Sequence, residues 1–501
     1  MKPLDRYEVW FLTGSQSLYG DEVLHQVAEN SAEIAAGLDA SDRIPLRVVT
    51  QPVVSSPEAI EEVCRRANAS PTCVGVITWM HTFSPAKMWI AGLMTLDKPL
   101  LHLHTQFNRD LPWADIDMDF MNLNQAAHGD REFAFMLSRL RIARKIVVGH
   151  WQDPTVAERI GKWSRAACGW HDLRHLKVAR FGSNMRRVAV TDGDRLEAQV
   201  RMGVAVDGFG INDLEVAMGH ATQPAIDELI DVYEDQYEMT PELARGGDRH
   251  KSLIEAVQIE LGMRNFLDER GYGAFTDTFE DLAGLPQLPG IAVQRLMADG
   301  YGFGAEGDWK TACLVRVMKM MGSGGDRGAS FMEEYTYHLG DTGPKVLGAH
   351  MLEVCPSIAE GRPSCEIHHL SIGGKPDPVR LVFTARTGPA VIAGLIDLGN
   401  RFRLVVNEVE LIEPDEPLPK LPVARAVWRP LPDFETAASS WLLAGGSHHT
   451  CLSLDIDLEI IKDFASMAAV ELATIDRYAT FDSFEKELRW NQAYHHLVTG
   501  P

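Results

Sequence analysis

Over residues 1–150, short apolar runs alternate with longer amphipathic stretches. EVWFLT (8–13) is an uninterrupted apolar run bounded by polar residues and predicts a buried strand. GSQSLYG (14–20) reads as a turn, and EVLHQVAENSAEIAAGL (22–38) places apolar residues at helical spacing. LRVVTQPV (46–53) predicts a second strand, and PEAIEEVCRRANA (57–69) a helix opened by Pro in its first turn. CVGVITWM (73–80), PLLHLHT (99–105) and KIVVGHW (145–151) predict further strands. Strands alternating with helices imply a mostly parallel sheet with helices on both faces. Ligands of such sheets sit beyond the carboxyl ends of the strands. GSQSLYG, WMHTFSP (79–85) and HTQFNRD (104–110) all fall at such ends.

A second α/β segment starts near 177. VARFG (178–182) and RRVAVT (186–191) look like strands, while LEVAMG (214–219), AIDELIDVYE (225–234) and SLIEAVQIELGMRNFLDER (252–270) look like helices. MGSGGDRG (321–328) follows a helical stretch and reads as its end and a flexible connection. Beyond 328 the pattern changes to EIHHLSIGG (366–374), PVRLVFTA (378–385), FRLVVNEVELIEP (402–414) and ARAVWRP (424–430), strand-like pieces separated by Pro and Gly. Short helices such as DLEIIKDFASMAAV (457–470) are expected near the end. The expected fold class is α/β: Rossmann-like parallel-sheet domains at 1–176 and 177–328, then a β-rich domain at 329–501. A length of 501 residues suits several domains, because single cores stop growing near ~250–300 residues.

Composition narrows the function. The 48 basic and 70 acidic residues give a net charge of −22, which argues against nucleic acid or an anionic membrane as the main partner. No apolar run is long enough to predict a membrane helix, and MKPLDRYEVWFLTG lacks the apolar stretch of a secretory signal. The seven cysteines contain no C-x-x-C pair and suit reduced thiols in a cytoplasmic protein. GSQSLYG is not a G-x-G-x-x-G fingerprint, and no phosphate-binding P-loop appears, so nothing points to a nucleotide cofactor.

The chemistry-bearing candidates lie in the second half. Glu306 sits in GFGAEGDWKTA, Glu333 in GASFMEEYTYHLG, His350 in LGAHMLEVCPS and His449 in AGGSHHT. Two carboxylates and two imidazoles suit one borderline divalent cation. They come from four separate segments, so they form a site only if the fold brings them together. In His448-His449 one imidazole suffices as a ligand, and adjacent side chains of an extended chain point opposite ways.

GSQSLYG, NLNQAAHGDREF (122–133), FGSNMRRVAVT (181–191), FTDTFEDLAGLPQLPG (275–290), AEGDWKTA (305–312), SFMEEYTYH (330–338) and AGGSHHT (444–450), in that order, resemble the L-arabinose isomerase family nearly end to end. The resemblance implies conversion of L-arabinose to L-ribulose, with D-galactose to D-tagatose as a side activity. It implies one Mn²⁺ per subunit on Glu306, Glu333, His350 and His449, with the two glutamates also carrying protons. It places Gln16, Leu18, Met185, Phe279 and Ile372 around the sugar. It implies a homohexamer in which His128 reaches a neighbouring subunit's pocket. Two imidazoles tilt the ion toward Mn²⁺, Co²⁺ or Fe²⁺, and open positions for sugar oxygens favour a six-coordinate ion over closed tetrahedral zinc.

Aldose–ketose interconversion moves one proton between C2 and C1 and another between the two oxygens. An electrophile that polarises the carbonyl and carboxylates that shuttle protons serve it, by an enediol or by a hydride shift. Rival readings are a related aldose isomerase, a non-catalytic sugar-binding protein and a metallohydrolase. The paired glutamates speak against mere binding, and the missing H-E-x-x-H against the hydrolase. The chain departs from the family pattern at Glu334, Ala283 and Asp277, the last two flanking Phe279.

Overall fold

The computed structural model describes residues 2–371 and 374–499. Contacts divide the chain into two compact units, one of residues 1–171 with 459–467 and one of 172–458 with 468–501.

In the first unit, β1 (Glu8–Gly14), β2 (Arg47–Thr50), β3 (Cys73–Met80), β4 (Leu100–His104) and β5 (Lys145–Val148) form a sheet in the order β2-β1-β3-β4-β5. Every pairing is parallel. β3 is buried at every position, as its continuous apolar run requires. The helix Pro57–Ala69 starts where Ser56 Oγ accepts the Ala59 amide at 3.2 Å and Pro57 occupies the first turn. Beyond the strands' carboxyl ends lies a buried polar layer joining Thr13 to Ser31 at 2.5 Å, Ser15 to Thr82 at 2.7 Å and Asn30 to His81 at 2.8 Å. The helix Ala126–Arg139 is tied to β4 by Asp130, which takes His102 at 2.8 Å and His104 at 2.6 Å.

The second unit contains a four-stranded parallel sheet of β6 (Lys177–Phe181), β7 (Ala205–Phe209), β9 (Ala274–Asp277) and β10 (Gly302–Gly304), where β8 (Glu238–Met239) belongs elsewhere. Its order is β10-β9-β6-β7. The β-rich part adds β11 (Ala329–His338), β12 (Lys345–Ala349), β13 (Ser364–Ile367), β14 (Val379–Val382), β15 (Gly388–Asp397), β16 (Phe402–Ile412), β17 (Arg425–Pro430), β18 (His449–Ser453) and β19 (Glu471–Ile475). Antiparallel pairings run β15-β18-β11-β12-β17-β16 and close on themselves through β16–β15, so six strands form a ring. β19 joins β16 in parallel outside that ring, and β14-β13-β8 make a small separate sheet. Trp428, Met332, Ile392, Val405 and Leu452 fill a core that alternates inward along these strands.

The α/β plan with a β-rich end matches the pattern of the sequence, with local differences. RRVAVT is not a strand: Arg187 adopts φ 73°, and only Ala189–Thr191 forms a 3₁₀ turn. Arg186 is drawn instead to Glu280 and Asp281, at 3.1 and 2.7 Å. EIHHLSIGG is a strand only up to Ile367. DLEIIKDFASMAAV forms the expected short helix, Leu458–Ala468, and a 19-residue helix, Phe481–Thr499, follows it. All seven cysteines are buried, and none forms a disulfide.

β10 meets the helix Trp309–Met321 backbone to backbone. A Cβ on Gly302 would lie 2.1 Å from the Ala312 carbonyl oxygen, so only glycine permits this approach. Gly302→Ala is expected to destabilise the protein by roughly 1–3 kcal/mol through overpacking. Gly208→Ala, whose Cβ would meet nothing nearer than 3.8 Å, is expected to stay within about 0.5 kcal/mol of the parent. Thermal and urea unfolding followed by circular dichroism compare the two.

Candidate metal centre

β11 runs between β12 and β18, and register does the first part of assembling the site. Glu333 stands opposite Ala349 on one side and His449 on the other. His350 follows Ala349 directly, so three polar side chains from neighbouring strands arrive level with one another. The fourth comes from the parallel sheet. β10 ends at Gly304, and Glu306 lies in the 3₁₀ turn that follows it. Its backbone takes the left-handed conformation, φ 64° and ψ 26°, which costs about 1–2 kcal/mol in a residue with a Cβ. The Met185 amide donates to the Glu306 carbonyl at 2.9 Å and helps hold that pose. Gly307 continues at φ 85°, where a Cβ would lie 2.6 Å from Asn184 Cα.

Asp308 then caps the helix Trp309–Met321, accepting the Lys310 and Thr311 amides at 3.2 and 3.3 Å. The same carboxylate receives Lys310 Nζ at 2.9 Å and Thr311 Oγ1 at 2.8 Å. Burial alone would raise its pKa, but the Lys310 ammonium and His449 hold it well below the usual carboxylate range.

Each imidazole has a carboxylate on either side. His449 Nδ1 lies 3.3 Å from Asp308 Oδ2 and its Nε2 lies 3.8 Å from Glu306 Oε2. His350 Nδ1 is hydrogen-bonded to Glu353, and its Nε2 lies 3.9 Å from Glu333 Oε2. The short Nδ1 contacts fix ring orientation and aim Nε2 at the glutamates. The longer separations exceed a hydrogen bond yet can be bridged by one ion with ligand bonds of about 2.0–2.2 Å. Ligand atoms of Glu306, His350 and His449 all lie within 4.8 Å of one another. The ring of Phe331 stands edge-on to both imidazoles, at 5.0 and 5.4 Å. Oxygen and imidazole donors, oriented by carboxylates behind them, fit a divalent cation.

The electrostatics agree. Burial lowers the proton affinity of His350, but Glu353, Glu333 and Glu306 outweigh it and raise its pKa. Burial is the main cause that raises Glu333, with Glu306 and Glu353 adding to it against the two imidazoles. Asp277, at the end of β9, is pushed up to about 7 by burial and then by Glu353. Its Oδ2 and the neighbouring Thr278 Oγ1 are buried without a hydrogen-bond partner, a situation that costs about 1–3 kcal/mol per group.

The remaining sequence candidates are distributed over both units. Met185 lies in the loop bonded to Glu306, and Phe279 lines the same crevice as Glu306 and His350. Gln16 and Leu18 follow β1 in the first unit, with Leu18 exposed. His128 is exposed on the helix Ala126–Arg139, its ring 4.7 Å from that of Phe83. Ile372 lies outside the described residues. His449 is 1% exposed, whereas His448 faces solvent. Sequence reading missed Asp308 and Glu353, and marked Asp277 only as a departure from the family pattern beside Phe279. An Asp opening a helix signals a cap, but neither that nor a Glu three residues after His350 announces a partner for an imidazole.

Models of the L-arabinose isomerase N-terminal, central and C-terminal domains match residues 3–175, 177–324 and 328–471. The L-arabinose isomerase of Koribacter versatilis is 61% identical over 99% of each chain. That of Herpetosiphon aurantiacus is 57% identical over the whole of each chain, and that of Geobacillus stearothermophilus 56% over 99% of each.

Glu353→Gln keeps shape but weakens the hold on His350 Nδ1, so affinity for a divalent cation should fall by about 10–100-fold. His449→Ala should lose tightly held ion, whereas His448→Ala should keep it. Equilibrium dialysis with elemental analysis of the three variants checks the set.

Proposed function

The chain belongs to the L-arabinose isomerase family, whose members are intramolecular oxidoreductases, and on that premise we propose that it converts L-arabinose to L-ribulose at a divalent-metal site formed by Glu306, Glu333, His350 and His449. The observation that carries the reading is the pairing of two buried imidazoles, each with a carboxylate at Nδ1 and a glutamate facing Nε2. We take the ion to be Mn²⁺, one per subunit; when bound it polarises the sugar carbonyl and stabilises negative charge on the adjacent oxygens.

The protein's own groups handle the protons. Starting from the open-chain aldose, a carboxylate removes the proton on C2 as O1 gains one, leaving an enediol. The carbon proton then goes to C1 as O2 gives up its own, which yields the ketose with no net gain or loss. Glu306 and Glu333 face the same gap, and each offers a carboxylate for one of the two transfers. Asp308 and Glu353 keep the imidazoles from turning. Phe279 and Phe331 surround the reacting end with apolar surface and keep water from the enediol. D-galactose repeats the configuration of L-arabinose at C2, C3 and C4, so its conversion to D-tagatose is the natural side activity. Seven buried cysteines outside any disulfide suit a cytoplasmic setting, and no helix among the described residues is long and apolar enough to cross a membrane.

We further propose a homohexamer in which Gln16, Leu18, Met185, Phe279 and Ile372 contact the sugar and His128 serves a neighbouring subunit. Exposure of His128 beside Phe83, on a helix locked by the Asp130 bridges, supports that part.

Glu333→Gln keeps an oxygen donor but removes the base. Its kcat with L-arabinose should fall by roughly 10²-fold or more while sugar affinity changes far less; equal losses in both would assign Glu333 to binding alone. Mixed subunits test the assembly. His128→Ala and Glu306→Ala proteins, each inactive, should regain activity after subunit exchange. Exchange without recovery would place His128 at its own chain's site.

A further inference from the structure

Asp277 is the one buried carboxyl at this site that neither the metal set nor the imidazole clamps use. It ends β9, between β6 and β10, with Asp277 opposite Phe181 and Thr276 opposite Gly304. Asp277 and Glu306 therefore leave the carboxyl ends of adjacent parallel strands, about 4.8 Å apart in the sheet and at the edge where such sheets bind ligands. Asp277 is 6% exposed, and its Oδ2 has no partner among the described residues. It lines a crevice with Phe279, Leu288, Glu306, His350 and Glu353. The free volume there is about 20 Å³, room for a single oxygen-sized group.

Those facts fit together in one way. A buried carboxyl oxygen with no partner in the chain calls for an explanation, and a hydroxyl donated by a ligand supplies one. The space beside it admits a hydroxyl, and Glu306 and His350 line the same crevice. Resting on the isomerase reading above, we propose that Asp277 is a specificity-determining residue that receives one hydroxyl of the aldose, at C3, C4 or C5, while C1 and C2 lie at the glutamates. Phe279 and Leu288 wall the crevice, so a sugar that lacks this hydroxyl, or carries it with the wrong configuration, leaves Asp277 unpaired in an apolar wall. Such a penalty discriminates more strongly than loss of an apolar contact.

The test uses the full-length, Mn²⁺-loaded protein with L-arabinose and its 3-, 4- and 5-deoxy analogues. In the parent protein one analogue should lose roughly tenfold more kcat/KM than the other two. Asp277→Ala should erase that selective loss, raise KM for L-arabinose by about tenfold and leave kcat and Mn²⁺ content near the parent values. A parent protein indifferent to which hydroxyl is missing would overturn the assignment, whether or not the variant folds. An Asp277→Ala protein that lowers kcat alone, loses Mn²⁺ or penalises all four sugars equally would overturn it too. Should Asp277→Ala fail to fold, Asp277→Val, which suits a strand, is read in the same way. Calorimetric binding of L-arabitol, which cannot isomerise, reads the contact without turnover and should weaken about tenfold in the variant. A parent protein that binds L-arabitol through Asp277 but does not isomerise L-arabinose would refute the isomerase reading while leaving Asp277 in place.

Discussion

Asp308 is a buried carboxylate with three simultaneous duties, and the rest of the site depends on it. It caps the helix after β10, it neutralises Lys310, and it holds His449 at the start of β18. It thereby joins the end of a parallel sheet to the antiparallel ring. Without such a bond the turn carrying Glu306 and the strand carrying His449 would answer only to their own sheets. Lys310 is itself fixed by the carbonyls of Val190 and Asp192, at 3.0 and 2.7 Å, so the charge that stabilises Asp308 cannot drift away. The order of events is local and physical: a glycine strand admits a helix, the helix needs a cap, and the cap also holds an imidazole.

The charge balance follows. Glu306, Glu333, Glu353 and Asp308 gather around two imidazoles and one lysine, an arrangement rich in carboxylate. Burial, with repulsion from neighbouring carboxylates added, raises the proton affinity of Glu333 and Asp277. A divalent cation at this position would relieve that imbalance. Backbone strain at Glu306 belongs to the same economy: the left-handed turn is what aims its carboxylate at His449.

The first unit shows another use of a buried acid. Asp130 binds two histidines of β4 and anchors the helix that carries His128. Burial lowers the proton affinity of His104, but the hydrogen bond to Asp130 is the larger influence and its pKa is raised. Positions at the carboxyl ends of β1 and β3 carry hydroxyls and an imidazole rather than apolar side chains, and they bond one another or Asn30 and Ser31 of the helix Gly20–Asp39.

Local pattern determined much of this protein. Alternating apolar runs and amphipathic stretches specify a parallel α/β beginning and a β-rich end, because strand and helix periodicities are written within a few residues. The residue types of the centre were legible for the same reason: Glu306, Glu333, His350 and His449 stand out as two carboxylates and two imidazoles amid small residues. Period-two alternation would point His448 and His449 apart, but His448 precedes β18 and its ring meets that of His449 edge-on at 4.4 Å. Tertiary structure decided the rest. The register that sets Glu333 against His449 and the Asp308 carboxylate behind His449 join residues more than a hundred positions apart, which no local spacing encodes. RRVAVT carries the apolar content of a strand, yet Arg186 is claimed by Glu280 and Asp281 and Arg187 turns left-handed, so contacts overrode propensity there. Asp277 looks like an ordinary loop acid in sequence. Only its burial between two strands, with an oxygen left unpaired, marks it as a residue awaiting a partner.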